Sequence, residues 1–87
     1  MTNRDFLDTP PESAVLTHYD RTHVTLYMRL LDAYADNADW REVVFVLFSL
    51  DPASDLERAR LIHDSHLARA QWMAEHGYRQ LLAKSPR

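Results

Sequence analysis

Apolar residues recur at helical spacing along the segment 56–74, and this long pattern constrains the fold more than any other feature. When the segment is wound at about 100° per residue, one side collects Leu56, Ala59, Ile62, Leu67, Ala70, Met73 and Ala74. Leu61, Ala68 and Trp72 fall on the opposite side. We predict a long helix that is capped by Gly77, with the first side facing the core and the second side exposed.

Two shorter helices are predicted before the long one. The first begins near Thr17, where Asp20 completes a capping-box pattern, and it ends in the polar loop 35–38. The second begins at Asp39. Its segment VVFVLF (43–48) has a composition typical of strands. A helix is favoured because a capped start directly precedes this segment and no partner strand is apparent.

The long helix is expected to begin around Pro52. Proline suits a first helical turn, and Ser54 with Glu57 offers a further capping box. Residues 78–83 are expected to add a short helical turn. The sequence therefore predicts an all-α fold with three main helices, a helix-turn-helix-like arrangement and a long last helix.

A chain of 87 residues is expected to form one domain. Pro10, Pro11 and polar neighbours predict a flexible N-terminal tail over 1–16, followed by one helical domain (17–83) and a C-terminal tail (84–87). In an alternative, Phe6 and Leu7 fold back onto the body of the domain.

The composition indicates the cellular compartment in which this protein is expected. The chain has no cysteine, which excludes disulfides and thiolate zinc sites and fits a reducing environment. No apolar run approaches the ~20 residues of a membrane span, and the first residues lack the apolar core of a signal peptide. A cytoplasmic location is expected.

Motifs for catalysis or metal binding are weak. His63 and His66 stand three residues apart, but both lie on the core side of the long helix, and zinc needs three or four ligands. No nucleophile–base pattern is apparent, and a single glycine excludes a glycine-rich phosphate loop. We expect hydrogen-bonded histidines, no metal, no cofactor and no enzymatic activity.

The charge distribution is unfavourable for DNA binding. The net charge is −3, with −5 in residues 1–53 and +2 in residues 54–87, whereas DNA-binding domains usually present a basic face. Nucleic acid is therefore predicted to be an unlikely partner. The alternative is a DNA-binding helix-turn-helix regulator that uses Arg58 and Arg60, near the start of the long helix, together with Arg69 on phosphates and bases.

The second apolar side of the long helix predicts a protein-binding surface, since exposed aromatics beside arginine are typical of interface hot spots. The predicted partner-binding residues are Leu61, Ala68, Trp72, Arg58, Arg69 and Phe45. Two alternatives remain open. This side is covered from within, by Phe6 and Leu7 or by Leu81 and Leu82, or it forms a homodimer seam, although a monomer is favoured.

Seven short motifs in a fixed order resemble one proteobacterial family of unknown function. They are YDRTH (19–23), YMRLLDA (27–33), ADWREV (38–43), DP (51–52), ERAR (57–60), HDSHLARAQWM (63–73) and HGYR (76–79). The family is common on integrative and conjugative elements, and its short members include the QseM-type antiactivators, which this chain resembles in length and layout over about residues 17–82.

The resemblance implies a helix-turn-helix-like fold and a function. Antiactivators of this type bind transcriptional activators of element excision and transfer, including quorum-sensing LuxR-type activators, and inhibit them. The resemblance implies that ADWREV lies at the start of the penultimate helix. It also implies that ERAR lies at the start of the helix that would be the recognition helix of a helix-turn-helix. The family pattern leads us to expect a basic residue near Phe45 and a glycine near Ser49. Their absence here favours protein binding.

Overall fold

The computed structural model describes residues 6–77, which form four α-helices and a final π-helical turn. The helices are α1 (His18–Thr22), α2 (Val24–Ala35), α3 (Trp40–Phe48) and α4 (Leu56–Trp72), and the π-helical turn is Met73–Gly77. No strand occurs among these residues. The predicted all-α class with a long last helix is confirmed. The helical turn expected over 78–83 lies outside the described residues.

The predicted first helix is interrupted at His23. The capping box at its start is present, because the Thr17 hydroxyl accepts from the Asp20 N–H at 3.1 Å and the Asp20 carboxylate accepts from the Thr17 N–H at 2.9 Å. At His23 the backbone leaves the helical region, with φ −118° and ψ 22°. The chain therefore forms a one-turn helix, α1, before α2 begins.

The connection between α3 and α4 differs in detail from the prediction. Asp39 caps α3, as expected, and α3 ends at Ser49 in the left-handed region at φ 58°, where glycine would be relaxed. Asp51 then forms a turn, because its carboxylate accepts from the Ala53 N–H and its carbonyl accepts from the Ser54 N–H. α4 is capped one residue later than predicted, by Asp55, whose carboxylate accepts from the Arg58 N–H at 3.1 Å.

The core lies where α2, α3 and α4 meet. Its buried apolar residues are Leu16, Tyr27, Leu30, Val43, Phe48, Ile62, Ala70 and Met73. For α3 the sequence pattern predicts a core-facing side made of Trp40, Val43, Val44, Leu47 and Leu50, and it misses Phe48, which is fully buried. For α4 it wrongly assigns Leu56 and Ala74 to the core, since both are exposed. Leu56 lies in the first turn of α4 and is 52% exposed.

The described part of the predicted tail, residues 6–16, packs against the helices, with contacts to α1, α3 and α4. The Phe6 ring meets the Phe48 ring edge-on at 5.0 Å between centroids, and the Leu7 N–H donates to the Tyr19 hydroxyl at 2.9 Å. Leu7 itself remains half exposed. The proposed boundaries at residues 16 and 83 stay predictions.

None of the helices within residues 6–77 is long and apolar enough to cross a membrane. The cytoplasmic location stays a prediction.

Candidate functional site

The helix pair α3–α4 presents the outer face of α4 to solvent. α4 packs against both α2 and α3, which buries Ala59, Ile62 and Ala70 on its inner face. On the opposite face the exposed residues include Glu57, Arg60, Leu61, Asp64 and Ala68. A helix held on its inner side, with the N-terminal half of its outer side free, has the layout of the second helix of a helix-turn-helix.

Arg58 marks one edge of this face and is paired with the N-terminal segment. Its Nε and Nη2 atoms donate to the two Asp8 carboxylate oxygens at 2.9–3.2 Å. Both side chains are about half exposed (48% each), and the hydrogen bonds from Arg58 lower the pKa of the Asp8 carboxyl. The pair is a two-point contact at the protein surface.

Two more arginines meet over the Trp40 ring at the other edge of the face. The Arg60 guanidinium carbon lies 4.9 Å from the Trp40 ring centroid, and that of Arg41 lies 5.4 Å from it. Arg60 also donates to Asp64 at 2.9 Å, one turn further along α4. The start of α3 and the start of α4 thus bring two exposed guanidinium groups to one aromatic ring.

Arg69 lies in the interior, and its predicted place on an exposed face is wrong. Its side chain is only 7% exposed. It donates to the Asp20 carboxylate at 2.6–3.2 Å and to the carbonyl oxygens of Ser13 and Val15. The guanidinium carries enough donors to bind these three groups at once. Arg69 therefore ties the N-terminal segment to α1 and α4.

Asp20 is fully buried at the centre of this contact. Burial alone would raise the pKa of its carboxyl, but hydrogen bonds from Arg69, the Thr17 N–H and the Tyr27 hydroxyl outweigh burial and lower it. The carboxylate is therefore held in its charged form. No buried polar side-chain atom in the described part of the chain lacks a hydrogen-bond partner.

The apolar side predicted for α4 is partly covered from within. Leu61 is 48% exposed and Ala68 is exposed, as predicted. Trp72 is only partly exposed, because it packs against the core and the Arg69 guanidinium lies 3.9 Å from its ring centroid. Leu7 and residues 9–14 lie opposite these side chains and form the other wall of an open groove of about 990 Å³. Phe45, on α3, is 63% exposed, as predicted.

His66 is buried inside a short chain of hydrogen bonds. Its Nδ1 lies 2.8 Å from the Ile62 carbonyl oxygen and its Nε2 lies 2.7 Å from the Tyr19 hydroxyl. Burial lowers the pKa of His66 to about 4, so the ring is neutral at pH 7. Because the carbonyl only accepts, Nδ1 carries the proton and Nε2 accepts from Tyr19. His63 is partly buried and hydrogen-bonds to Asp64.

No group of three or more His, Asp or Glu side chains within residues 6–77 is placed to hold a metal ion. Sequence reasoning missed the residues that pair with the α4 arginines, namely Asp8, Trp40 and Asp20. Asp20 had a sufficient explanation as a capping residue. Asp8 and Trp40 lie 50 and 20 residues from their partners, so no local spacing could indicate the contacts.

The family RovC_DNA-bd, described as "T6SS, Transcription factor, DNA binding domain", matches residues 3–83. No curated protein matches the chain. The match covers all four helices and identifies a helix-turn-helix-like domain of transcription regulators. The resemblance to a regulator domain is thus confirmed at this level.

The prediction that nucleic acid is an unlikely partner is wrong, because the matched family is a DNA-binding domain. The physical reason is that net charge counts side chains that do not shape the outer face of α4. Asp20 is buried against Arg69, and the Asp39 carboxylate caps the start of α3. Asp20 is thus withdrawn from the surface, whereas Asp39 stays 53% exposed and is engaged at the start of α3.

Proposed function

The chain belongs to this family of transcription-factor DNA-binding domains, and on that premise we propose that it is a regulator that binds duplex DNA through α3 and α4. The observation that carries the proposal is the exposed N-terminal half of α4, flanked by Arg58 on one edge and Arg60 on the other. In a helix-turn-helix, these positions of the second helix reach base edges and phosphates in the major groove. The proposal includes no catalysis and no cofactor.

The cluster around Trp40 supports a phosphate contact beside the recognition helix. Arg41 belongs to the first turn of α3 and Arg60 to α4, and both guanidinium groups remain more than half exposed. The first helix of a helix-turn-helix crosses the DNA backbone, so its N-terminal arginine is suited to a phosphate. Contact with the Trp40 ring limits the orientations that the two guanidinium groups adopt.

Acidic partners on Arg58 and Arg60 do not oppose this function. Ion pairs between exposed side chains contribute only about 0–1 kcal/mol. A DNA phosphate that displaces Asp8 or Asp64 also releases condensed counterions from the duplex, which drives most DNA binding. The acidic partners therefore reduce affinity for DNA without preventing binding.

Selection from a random pool of duplexes, followed by fluorescence anisotropy, tests the proposal. We expect an enriched sequence. Arg60→Ala should lower the affinity for that sequence by about 1–3 kcal/mol if the side chain contacts a base. Arg41→Ala should weaken binding to all sequences alike and reduce the dependence of log K on log salt by about one phosphate contact.

Arg29→Ala is the matched control, because Arg29 is an exposed arginine of α2. It removes the same charge from another helix and should change the affinity little at about 0.1 M salt, where charges more than ~10 Å apart are screened. If no sequence is enriched, and Arg60→Ala and Arg29→Ala have equal effects, the proposal is wrong.

A second candidate function is that of an antiactivator, which binds and inhibits a LuxR-type or excision activator. The exposed Phe45 and Leu61 favour it, as does the pairing of Arg58 with an acid of the same chain. Calorimetric titration with a LuxR-type activator from the same host tests this role. Leu61→Ala should then weaken the complex by about 2 kcal/mol or more.

A further inference from the structure

The Asp8 carboxylate binds Arg58, at the edge of the proposed DNA-binding face, through the donors that a DNA phosphate would use. Two oxygens of its carboxylate face the Nε and Nη2 atoms of Arg58 at 2.9–3.2 Å. Arginine binds carboxylates and phosphates with this same two-point geometry. A phosphate and the Asp8 carboxylate therefore compete for one set of donors.

The N-terminal segment holds Asp8 in place by contacts on both sides. Before it, the Phe6 ring packs edge-on against Phe48 at 5.0 Å between centroids. At Asp8 itself, the backbone carbonyl accepts from the Ser65 hydroxyl at 3.1 Å. After it, the Ser13 carbonyl accepts from Arg69 at 2.9 Å. The carboxylate thus reaches Arg58 from a segment that is anchored at three points.

We propose that residues 6–13 form an autoinhibitory segment, in which Asp8 occupies Arg58 and must be displaced before that arginine contacts a DNA phosphate. The inference rests on the proposed function and adds a regulatory role for a segment outside the helix-turn-helix. Because both side chains are about half exposed, the contact is weak enough for a phosphate to replace it. The segment therefore lowers the affinity for DNA without abolishing binding.

The test compares Asp8→Asn with Asp32→Asn in the full chain by fluorescence anisotropy on a 20-base-pair duplex of random sequence. Both variants remove one negative charge from an exposed side chain, but Asp32 lies on α2. In about 0.1 M salt, where distant charges are screened, Asp8→Asn should tighten binding about two- to fivefold. Asp32→Asn should leave it within the error of the measurement. The dependence of log K on log salt should change little, because Arg58 contacts a phosphate in the DNA complexes of the wild type and of both variants.

A second arm places both substitutions in the Arg58→Ala background, where the gain from Asp8→Asn should disappear. Equal affinities for Asp8→Asn and Asp32→Asn, with DNA binding intact, would overturn the autoinhibition and leave the proposed function standing. A gain that survives Arg58→Ala would overturn it as well. If none of these proteins binds the duplex at low salt, the proposed function fails, and autoinhibition of DNA binding fails with it.

Discussion

At the scale of single residues, the fold changes the ionisation of His66 in the mildly acidic pH range. It is fully buried, both ring nitrogens are hydrogen-bonded, and burial lowers its pKa from 6.5 to about 4. In the unfolded chain the ring takes up a proton near pH 6.5, whereas in the folded chain it does so only near pH 4. Between these values the unfolded state binds more protons, so stability falls as the pH is lowered.

We therefore expect the free energy of unfolding to drop by about 2 kcal/mol between pH 7 and pH 5 because of His66. Urea unfolding at a series of pH values measures the drop. His66→Gln should remove most of the pH dependence in this window, whereas His18→Gln, at an exposed position, should retain it. An unchanged slope in His66→Gln would show that another group is responsible.

The buried pair of Asp20 and Arg69 gives a second prediction. Asp20→Asn leaves the Arg69 guanidinium buried without a counter-charge, and the loss of one partner of a buried pair costs about 3–5 kcal/mol. Asp64→Asn removes the partner of the exposed Arg60 and should cost less than about 1 kcal/mol. Chemical unfolding compares the two variants. Similar losses of stability for both would mean that the Asp20–Arg69 pair is not buried in solution.

At the scale of elements, α3 shows which parts of the fold the sequence predicts. Its start was predicted because Asp39 is a local signal, and its helical state was predicted because the alternative needed a partner strand. The inward direction of Phe48 was missed. Position 48 ends the helix, and its burial depends on Phe6 and His66, which lie far away in sequence. Periodicity within one helix carries no information about such neighbours.

Two phenylalanines on α3 allow a direct test of this packing. Phe48 is fully buried and Phe45 is 63% exposed. Phe48→Ala should destabilise the domain by about 3–5 kcal/mol, whereas Phe45→Ala should change its stability by less than about 0.5 kcal/mol. Thermal unfolding followed by circular dichroism measures both. Equal losses of stability for the two variants would contradict an α3 orientation that places Phe48 in the core and Phe45 in solvent.

The sequence predicts the outer surface of α4 only in part, again because periodicity within one helix carries no information about neighbours that are distant in sequence. The helical wheel correctly placed Leu61 and Ala68 outside. It placed Arg69 outside as well, because an arginine near the edge of the core is normally solvated. Only the tertiary fold brings Asp20 and the carbonyls of Ser13 and Val15 to that edge. The hydrogen bonds that Arg69 donates to these groups then compensate for the desolvation of its charge.

At the scale of the whole molecule, the net charge of −3 misled the prediction about nucleic acid. Total charge is an argument about solubility and long-range attraction, and not about the composition of one face. Here the first half of the chain supplies acids that cap helices, fill the interior or meet the arginines of α4. The net charge counts these acids equally, although they differ in how far they are exposed and in which groups they contact.

The central claim is that α3 and α4 form the DNA-binding face, and an NMR titration tests it most directly. The ¹⁵N-labelled chain is titrated with the duplex enriched by selection, and amide shifts are followed residue by residue. We predict that the largest changes fall on residues 40–41 and 54–64, with a further change at Asp8 as it leaves Arg58. Changes confined to the exposed side of α2 around Thr25 and Met28, or no changes with any duplex, would contradict the claim.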